Sequence, residues 1–235
     1  MKKHPWSVAA IPPQEGRRAV VTGSNSGIGW HTALELARRG AEVVLAARSP
    51  EKARDAEARI RRLVPEARLV PAVLDLADLA SVRRFAGEQG GAPLDLLVNN
   101  AAVMAVPTRE TTVDGFERQF GTNYLGPFAL TALLFPSLRR APGTRVVTVA
   151  SSAAKWGKID FANLQSERVY KPMFQAYAQS KLADLVFALE LQRRLTAAGS
   201  PILSVSCHPG YAITNLQTSG PGEAKGLLGL LGTIL

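Results

Sequence analysis

Ala19-Val20-Val21-Thr22-Gly23-Ser24-Asn25-Ser26-Gly27-Ile28-Gly29 is the stretch that decides the fold class. A short apolar run, Ala19 to Val21, enters a glycine-rich turn, and Ala33, Leu34, Leu36 and Ala37 then recur at helical spacing until Gly40. The order is strand, tight turn, helix. Glycines in such a turn let the chain reverse sharply and let an anion approach the amides that open the helix. Three residues separate Gly23 from Gly27 and one separates Gly27 from Gly29, a departure from the pattern Gly-x-Gly-x-x-Gly. A phosphate cradle and a turn that merely packs a helix are both open at this point.

Working outward, Val43-Val44-Leu45 reads as a second strand, followed by helical spacing at Ala53, Ala56, Ile60 and Leu63 before Pro65. Further strands are expected at Leu69 to Leu74, Leu94 to Val98, Val146 to Val149 and Ile202 to Val205. Helices are expected around Val82 to Phe85, Phe116 to Leu138 and Phe174 to Thr196, with Pro136 kinking or ending the second of them. Six strands alternating with helices predict an α/β, Rossmann-type three-layer αβα fold around a mainly parallel sheet of at least six strands. The apolar strands Leu69 to Leu74, Leu94 to Val98 and Val146 to Val149 read as covered on both faces.

The chain has 235 residues and is 46% hydrophobic, enough for one substantial core, so residues 1–235 are read as a single domain. Three histidines and one cysteine, Cys207, leave no thiolate cluster for a metal and no intrachain disulfide. No metal site is expected. The start, Met1 to Val8, lacks an apolar leader, and no transmembrane segment is legible, so a cytoplasmic location is expected. Lys and Arg outnumber Asp and Glu by 28 to 19, which suits anionic ligands. The arginine pairs from Arg17-Arg18 to Arg193-Arg194 are dispersed, and no nucleic-acid reader motif accompanies them. No nucleic acid is expected as a partner.

The chemistry concentrates at Tyr177 and Lys181, four residues apart in an expected helix and therefore on one face. A neighbouring ammonium favours the phenolate and suits a tyrosine to acid-base work. Plain packing of Tyr177 with Lys181 in solvent is the alternative. Ser151 and Ser152 follow the strand ending at Val149, at the carboxyl end where parallel sheets bind ligands; either hydroxyl could hold a carbonyl oxygen, or simply cap a turn. Asn123, between Phe120 and Leu125, is costly if it faces inward and would then hold a water or Lys181. Arg48 follows the second strand, where an acidic residue would suit a free ribose and an arginine suits a 2′-phosphate; an ordinary solvent arginine is the other reading.

Together these residues resemble the short-chain dehydrogenase/reductase family over roughly Arg17 to Leu216. Thr22 to Gly29 matches its glycine motif, and Tyr177-Ala178-Gln179-Ser180-Lys181 matches its Tyr-x-x-x-Lys centre. Asp75-Leu76, Asn99-Asn100-Ala101, Asn123, Ser151-Ser152, Pro209-Gly210 and Thr214 fall in matching places. The resemblance implies a catalytic tetrad of Asn123, Ser152, Tyr177 and Lys181, with Ser152 preferred to Ser151. It assigns the cofactor to Gly23, Ser24, Asn25, Ser26, Gly27, Ile28, Gly29, Arg48, Asp75, Leu76, Asn99, Ala101, Tyr177, Lys181, Pro209, Gly210 and Thr214.

The activity so implied is NADP(H)-preferring interconversion of an alcohol and a ketone or aldehyde by hydride transfer, with NAD(H) as a second cofactor. The partner is then a small carbonyl or alcohol. The longer stretch between Ser152 and Tyr177, with Phe161 and Asn163, is similar to the retinol-dehydrogenase-like branch and extends the expectation to lipophilic substrates. A homodimer or homotetramer through the long helices is also implied. Two departures matter: Ala102 stands where glycine is common, and the sequence ends before a recognisable seventh strand, so the C-terminal part is expected to be incomplete. The glycine-rich stretch after Gly210 reads as an adaptable cover. A nonenzymatic NADP-binding regulator is the competing reading.

Overall fold

The computed structural model describes residues 6–138 and 143–210. Thr214, the proposed cover after Gly210 and the expected unfinished ending lie outside the described residues. Six strands, β1 Arg18–Thr22, β2 Glu42–Ala47, β3 Arg68–Val73, β4 Leu96–Asn99, β5 Arg145–Val149 and β6 Leu203–Cys207, form one parallel sheet in the order β3-β2-β1-β4-β5-β6. Helices α1 Gly27–Arg38, α2 Pro50–Leu63 and α3 Leu79–Gln89 connect the first four strands. A short helix α4 Arg118–Phe120 and helix α5 Gly126–Leu138 precede β5, and helix α6 Ala178–Ala197 precedes β6.

Alternation along each strand builds the three layers, because successive side chains leave the sheet on opposite faces. Val20, Val44, Leu97 and Val146 pack with Phe85 of α3, Leu130 and Leu134 of α5 and Leu195 of α6. Val21, Val43, Leu45 and Val98 pack with Leu34 of α1 and Ile60 of α2. Each fully buried leucine contributes about 1.5–3 kcal/mol relative to exposure. Local signals fix where helices begin: the Ser49 hydroxyl accepts from the Lys52 amide ahead of Pro50, and Asp78 accepts from the Ala80 amide.

Three expectations are corrected. β3 and β6 are the outer strands of the described sheet, so Val73 on β3 is exposed instead of covered on both faces, and Leu203 and Val205 on β6 are exposed as well. The helix expected from Phe116 begins at Arg118 and is interrupted by a π-turn, Gly121–Leu125. Pro136 sits inside the last turn of α5, close to where that helix ends. The helix expected from Phe174 opens instead as a π-turn, Pro172–Tyr177, and becomes regular at Ala178.

Glycines bracket the first π-turn for steric reasons. A Cβ on Gly121 would lie 2.6 Å from Thr112 Cγ2, and one on Gly126 would strike the Leu76 carbonyl oxygen. Among the described residues, four of the arginine pairs place at least one member against a carboxylate: Arg17 with Asp95, Arg18 with Glu42, Arg38 with Glu35, Arg61 with Glu57, and Arg193 and Arg194 with Glu190. Among the described residues, no helix is long and apolar enough to cross a membrane.

Candidate active site

The strand order reverses between β1 and β4, and the carboxyl ends of β1, β4 and β5 lie side by side at this switch point, where open parallel sheets bind ligands in a crevice. Gly23 follows β1 with φ +67° and Gly27 opens α1 with φ +53°, a left-handed region that favours glycine. Gly29 is required by space, since a Cβ there would strike the Gly23 carbonyl oxygen and the Asn100 amide. Ser26 caps α1 without a side-chain hydrogen bond, leaving the first amides of α1 without a side-chain cap.

Thr22 ties this turn to β4. Its hydroxyl accepts from the Asn100 and Ala101 amides and donates to the Val98 carbonyl, while Asn100 Nδ2 donates 2.8 Å to the Thr22 carbonyl. Ala101 therefore lies against Gly23, whose Cβ, if present, would be 2.9 Å from Ala101 Cα. Asn99 points its amide to Thr131, and its own Oδ1 is buried without a hydrogen-bond partner among the described residues. Asp75 is half-buried and accepts from the Ala77 amide, and Leu76 is buried against Gly126. Arg48 is exposed just beyond β2; Pro209 and Gly210 are exposed beyond β6.

Ser151 and Ser152 separate cleanly. The Ser151 hydroxyl accepts from the Ala153 amide at 3.2 Å and caps the 3-10 turn Ser152–Trp156, whereas Ser152 is exposed. That turn packs on α6 because Gly157, which ends it, has no side chain: a Cβ there would be 2.5 Å from the Ala178 carbonyl oxygen.

Tyr177 is buried against Ala153, Ala178, Met104 and Met173, and its hydroxyl has no hydrogen-bond partner among the described residues. Lys181 is not a solvent lysine. It is 3% exposed, and its ammonium donates 2.9 Å to the Val149 carbonyl and 2.8 Å to Asp184 Oδ2. An ammonium has three N–H donors, so two are committed and one is left.

Asn123 lies in the π-turn and does not hold Lys181. Its Oδ1 accepts from the Val103 amide, and its Nδ2 donates to the Val103 carbonyl and to Ser180 Oγ, which in turn donates to the Tyr177 carbonyl. Asn123 thus ties the loop after β4 to the start of α6. The side chain is spent on backbone geometry, a role set by tertiary contacts that the local sequence does not carry.

Sequence reasoning missed the supports of this crevice. Gln179 accepts from the Asp160 amide and donates to the Leu164 carbonyl, pinning the long stretch between Ser152 and Tyr177. Asn163 braces the same stretch by accepting from the Arg168 amide and donating to the Val169 carbonyl, while Phe161 is exposed. Buried Glu117 accepts from the Gln119 and Phe120 amides and caps α4; burial pushes its carboxyl up. Tyr170 donates 2.5 Å to the Val106 carbonyl, and burial, then the Glu117 charge, push its phenol up to about 12. Asp184 was also missed, although its i,i+3 spacing from Lys181 was a usable signal.

The short chain dehydrogenase family model matches residues 17–223. The chain belongs to the short-chain dehydrogenase family. Within this family it falls in the retinol- and polyprenol-dehydrogenase-like branch: it is 48% identical over 212 residues to polyprenol dehydrogenase of Mus musculus, covering 88% of this chain and 63% of that protein. It is 43% identical over 212 residues to retinol dehydrogenase 13 of Homo sapiens, covering 89% and 62%. The chain thus spans less than two thirds of the length of these curated relatives. Among solved structures, an uncharacterized protein from Mycobacterium Paratuberculosis matches with a TM-score of 0.80 and 49% identity, over 91% of this chain and 75% of that one. A Pseudomonas aeruginosa RhlG/NADP active-site complex matches with a TM-score of 0.71 and 28% identity, over 88% and 77%. The span matched by the family model includes both the glycine turn and the Tyr-x-x-x-Lys helix of this short-chain dehydrogenase.

Proposed function

We propose that this chain is an NADP(H)-preferring oxidoreductase that interconverts a lipophilic alcohol and its ketone or aldehyde, with Tyr177 as the acid/base. The observation that carries the reading is Lys181, a buried ammonium held on the Val149 carbonyl one helical turn after Tyr177. The residues fit a dinucleotide. Gly23 and Gly29 leave a cradle that a Cβ would fill, and the first amides of α1 have no side-chain cap. Gly23 to Gly29 would hold the pyrophosphate, Arg48 the 2′-phosphate, Asp75 and Leu76 the adenine, and Asn99, Ala101, Pro209, Gly210 and Thr214 the nicotinamide side. When bound, the nicotinamide donates or accepts the hydride.

The chain's own groups manage the proton. In carbonyl reduction Tyr177 Oη gives its proton to the substrate oxygen, and in alcohol oxidation it takes that proton back. Ser152, exposed on its 3-10 turn, donates a hydrogen bond to the same oxygen as charge develops there. Lys181 stabilises the phenolate by its charge and offers its remaining N–H to the ribose. Asn123 keeps Tyr177 and the loop after β4 in register.

Exposed Phe128 and Leu133 on α5 and Val186 and Leu189 on α6 support a homodimer or homotetramer through these helices, which solution mass measurement would decide. The activity is tested with geraniol, farnesol and all-trans-retinol against NADP+ and NAD+, and with the matching aldehydes against the reduced cofactors. Turnover should be highest with NADP(H), and Tyr177→Phe should lose most of it while still binding cofactor. Binding of NADP+ without turnover of any of these would favour a nonenzymatic regulator.

A further inference from the structure

Asp184 is a buried carboxylate that the acid-base scheme above does not use. It lies one turn beyond Lys181 on α6, and its Oδ2 accepts from the Lys181 ammonium at 2.8 Å, with the two side chains 3% and 4% exposed. A lone charge at such a depth is strongly unfavourable, and a pair recovers that cost only if it is well placed. Here the pair is also tied to β5 through Val149. The ammonium beside the acid/base is therefore not a free positive charge but half of an ion pair.

We propose that Asp184 is a positioning residue: it holds the Lys181 ammonium at the end of β5 and sets how much of its positive charge Tyr177 senses. This inference rests on Tyr177 and Lys181 being the reacting pair. With Asp184 ionised, the pair is neutral, and the pull of Lys181 toward a phenolate is partly cancelled. Removing the carboxylate charge while keeping an acceptor oxygen leaves the ammonium uncompensated and makes the phenolate easier to form.

The surroundings leave few other groups to act. Burial, opposed by Lys181, pushes the Asp184 carboxyl up to about 6, so the pair is neutral only above that pH. Tyr124, on the π-turn packed against α6, is the other titratable group that couples to it: burial first, and the Asp184 charge second, push that phenol up. Arg118 on α4, Arg145 on β5, Lys155 on the 3-10 turn, Tyr177 on the second π-turn, and Cys207 on β6 with His208 beyond it are the remaining titratable groups on the elements against α6. Among the described residues none of them hydrogen-bonds or ion-pairs with Asp184.

The test follows tyrosinate absorbance in the cofactor-free protein as pH rises; from each protein its own Tyr177→Phe counterpart is subtracted, so that the response of Tyr124 to loss of the Asp184 charge cancels and only Tyr177 is read. In Asp184→Asn the Tyr177 midpoint should fall by about one pH unit relative to the parent. The same displacement to lower pH should appear in kcat/KM for the fastest-oxidised of geraniol, farnesol and retinol. Asp184→Ser, smaller and uncharged, replaces Asn if that variant does not fold.

An optical midpoint that does not move in a folded Asp184 variant overturns the proposal, because a purely structural ion pair would cost stability and leave the titration of Tyr177 alone. The proposed function fails separately. Full turnover by Tyr177→Phe would remove the acid-base reading while leaving the optical coupling of Asp184 to Tyr177 intact.

Discussion

Ser151 caps the turn that Ser152 begins: its hydroxyl accepts from the Ala153 amide at 3.2 Å, leaving its neighbour exposed. Two adjacent serines thereby acquire different work. Ser151→Ala should cost about 1 kcal/mol of stability, the usual loss of an N-cap, and retain most turnover. Ser152→Ala should unfold like the parent and lose most of its kcat. Urea melts and steady-state kinetics on both proteins check this, and the reverse pattern would transfer the catalytic assignment to Ser151.

Gly157 positions that turn by what it lacks. A Cβ would come within 2.5 Å of the Ala178 carbonyl oxygen and 2.9 Å of Leu182 Cβ, so Gly157→Ala must push the serine turn away from α6. Overpacking of this kind costs about 1–3 kcal/mol. Because Ser152 rides on the turn and Tyr177 precedes α6, kcat should fall as well. Gly87 is the control: it is exposed on α3, and a Cβ there would meet nothing within 4 Å. Gly87→Ala should stabilise by about 0.4–1 kcal/mol and leave turnover unchanged. Equal behaviour of the two variants would contradict the steric role given to Gly157.

The parts legible in the sequence are those fixed by short spacings. The four-residue step from Tyr177 to Lys181 puts them on one helix face, and the strand before Gly23 made its turn a candidate cradle. The π-turns at Gly121–Leu125 and Pro172–Tyr177 were not legible, because widening one turn leaves the apolar spacing looking helical. Gly157 reads locally as an ordinary turn residue, and only its approach to Ala178 reveals the constraint. Asn123 likewise meets Val103 and Ser180, partners 20 and 57 residues away, which no local pattern encodes.

Burial raises the carboxyls of Asp184, to about 6, and of Glu117. Between the ordinary carboxylate range, near about 4, and these raised values, the folded protein binds protons that the unfolded chain has released. The stability these two groups contribute is therefore fully present below that range and is lost as pH rises through their folded values. Asp184→Asn should flatten the fall in stability from pH about 4 to about 6, and Glu117→Gln the fall that sets in above the ordinary carboxylate range. Glu117→Gln should also lower stability by about 1–3 kcal/mol at neutral pH, since the Gln119 and Phe120 amides donate to different carboxylate oxygens and the NH2 that replaces one of them cannot accept. Denaturant melts across that pH range measure both effects, and parallel curves for parent and variants would refute the assignment.

Arg48 governs the choice of cofactor in the proposed function. It stands exposed just past β2, and no ion pair engages it among the described residues. Arg59, which reaches the glycine turn from α2, is committed elsewhere: it donates to the Asn25 carbonyl and to Asp55 and stacks over Trp30 at 4.6 Å from the ring centroid. Arg48 is thus free to pair with a 2′-phosphate, for which its planar fork suits bidentate hydrogen bonds. Solvent exposure weakens such a contact, so Arg48→Ala should lower NADP(H) affinity and kcat/KM by about tenfold and change the NAD(H) values much less. The gap should narrow as added salt screens the phosphate, and Arg48→Asp, which places like charge beside it, should widen the loss. Titrating both cofactors into parent and variants, with kcat/KM measured alongside, separates the cases: equal losses for the two cofactors, or a parent that prefers NAD(H), would remove Arg48 from the specificity site.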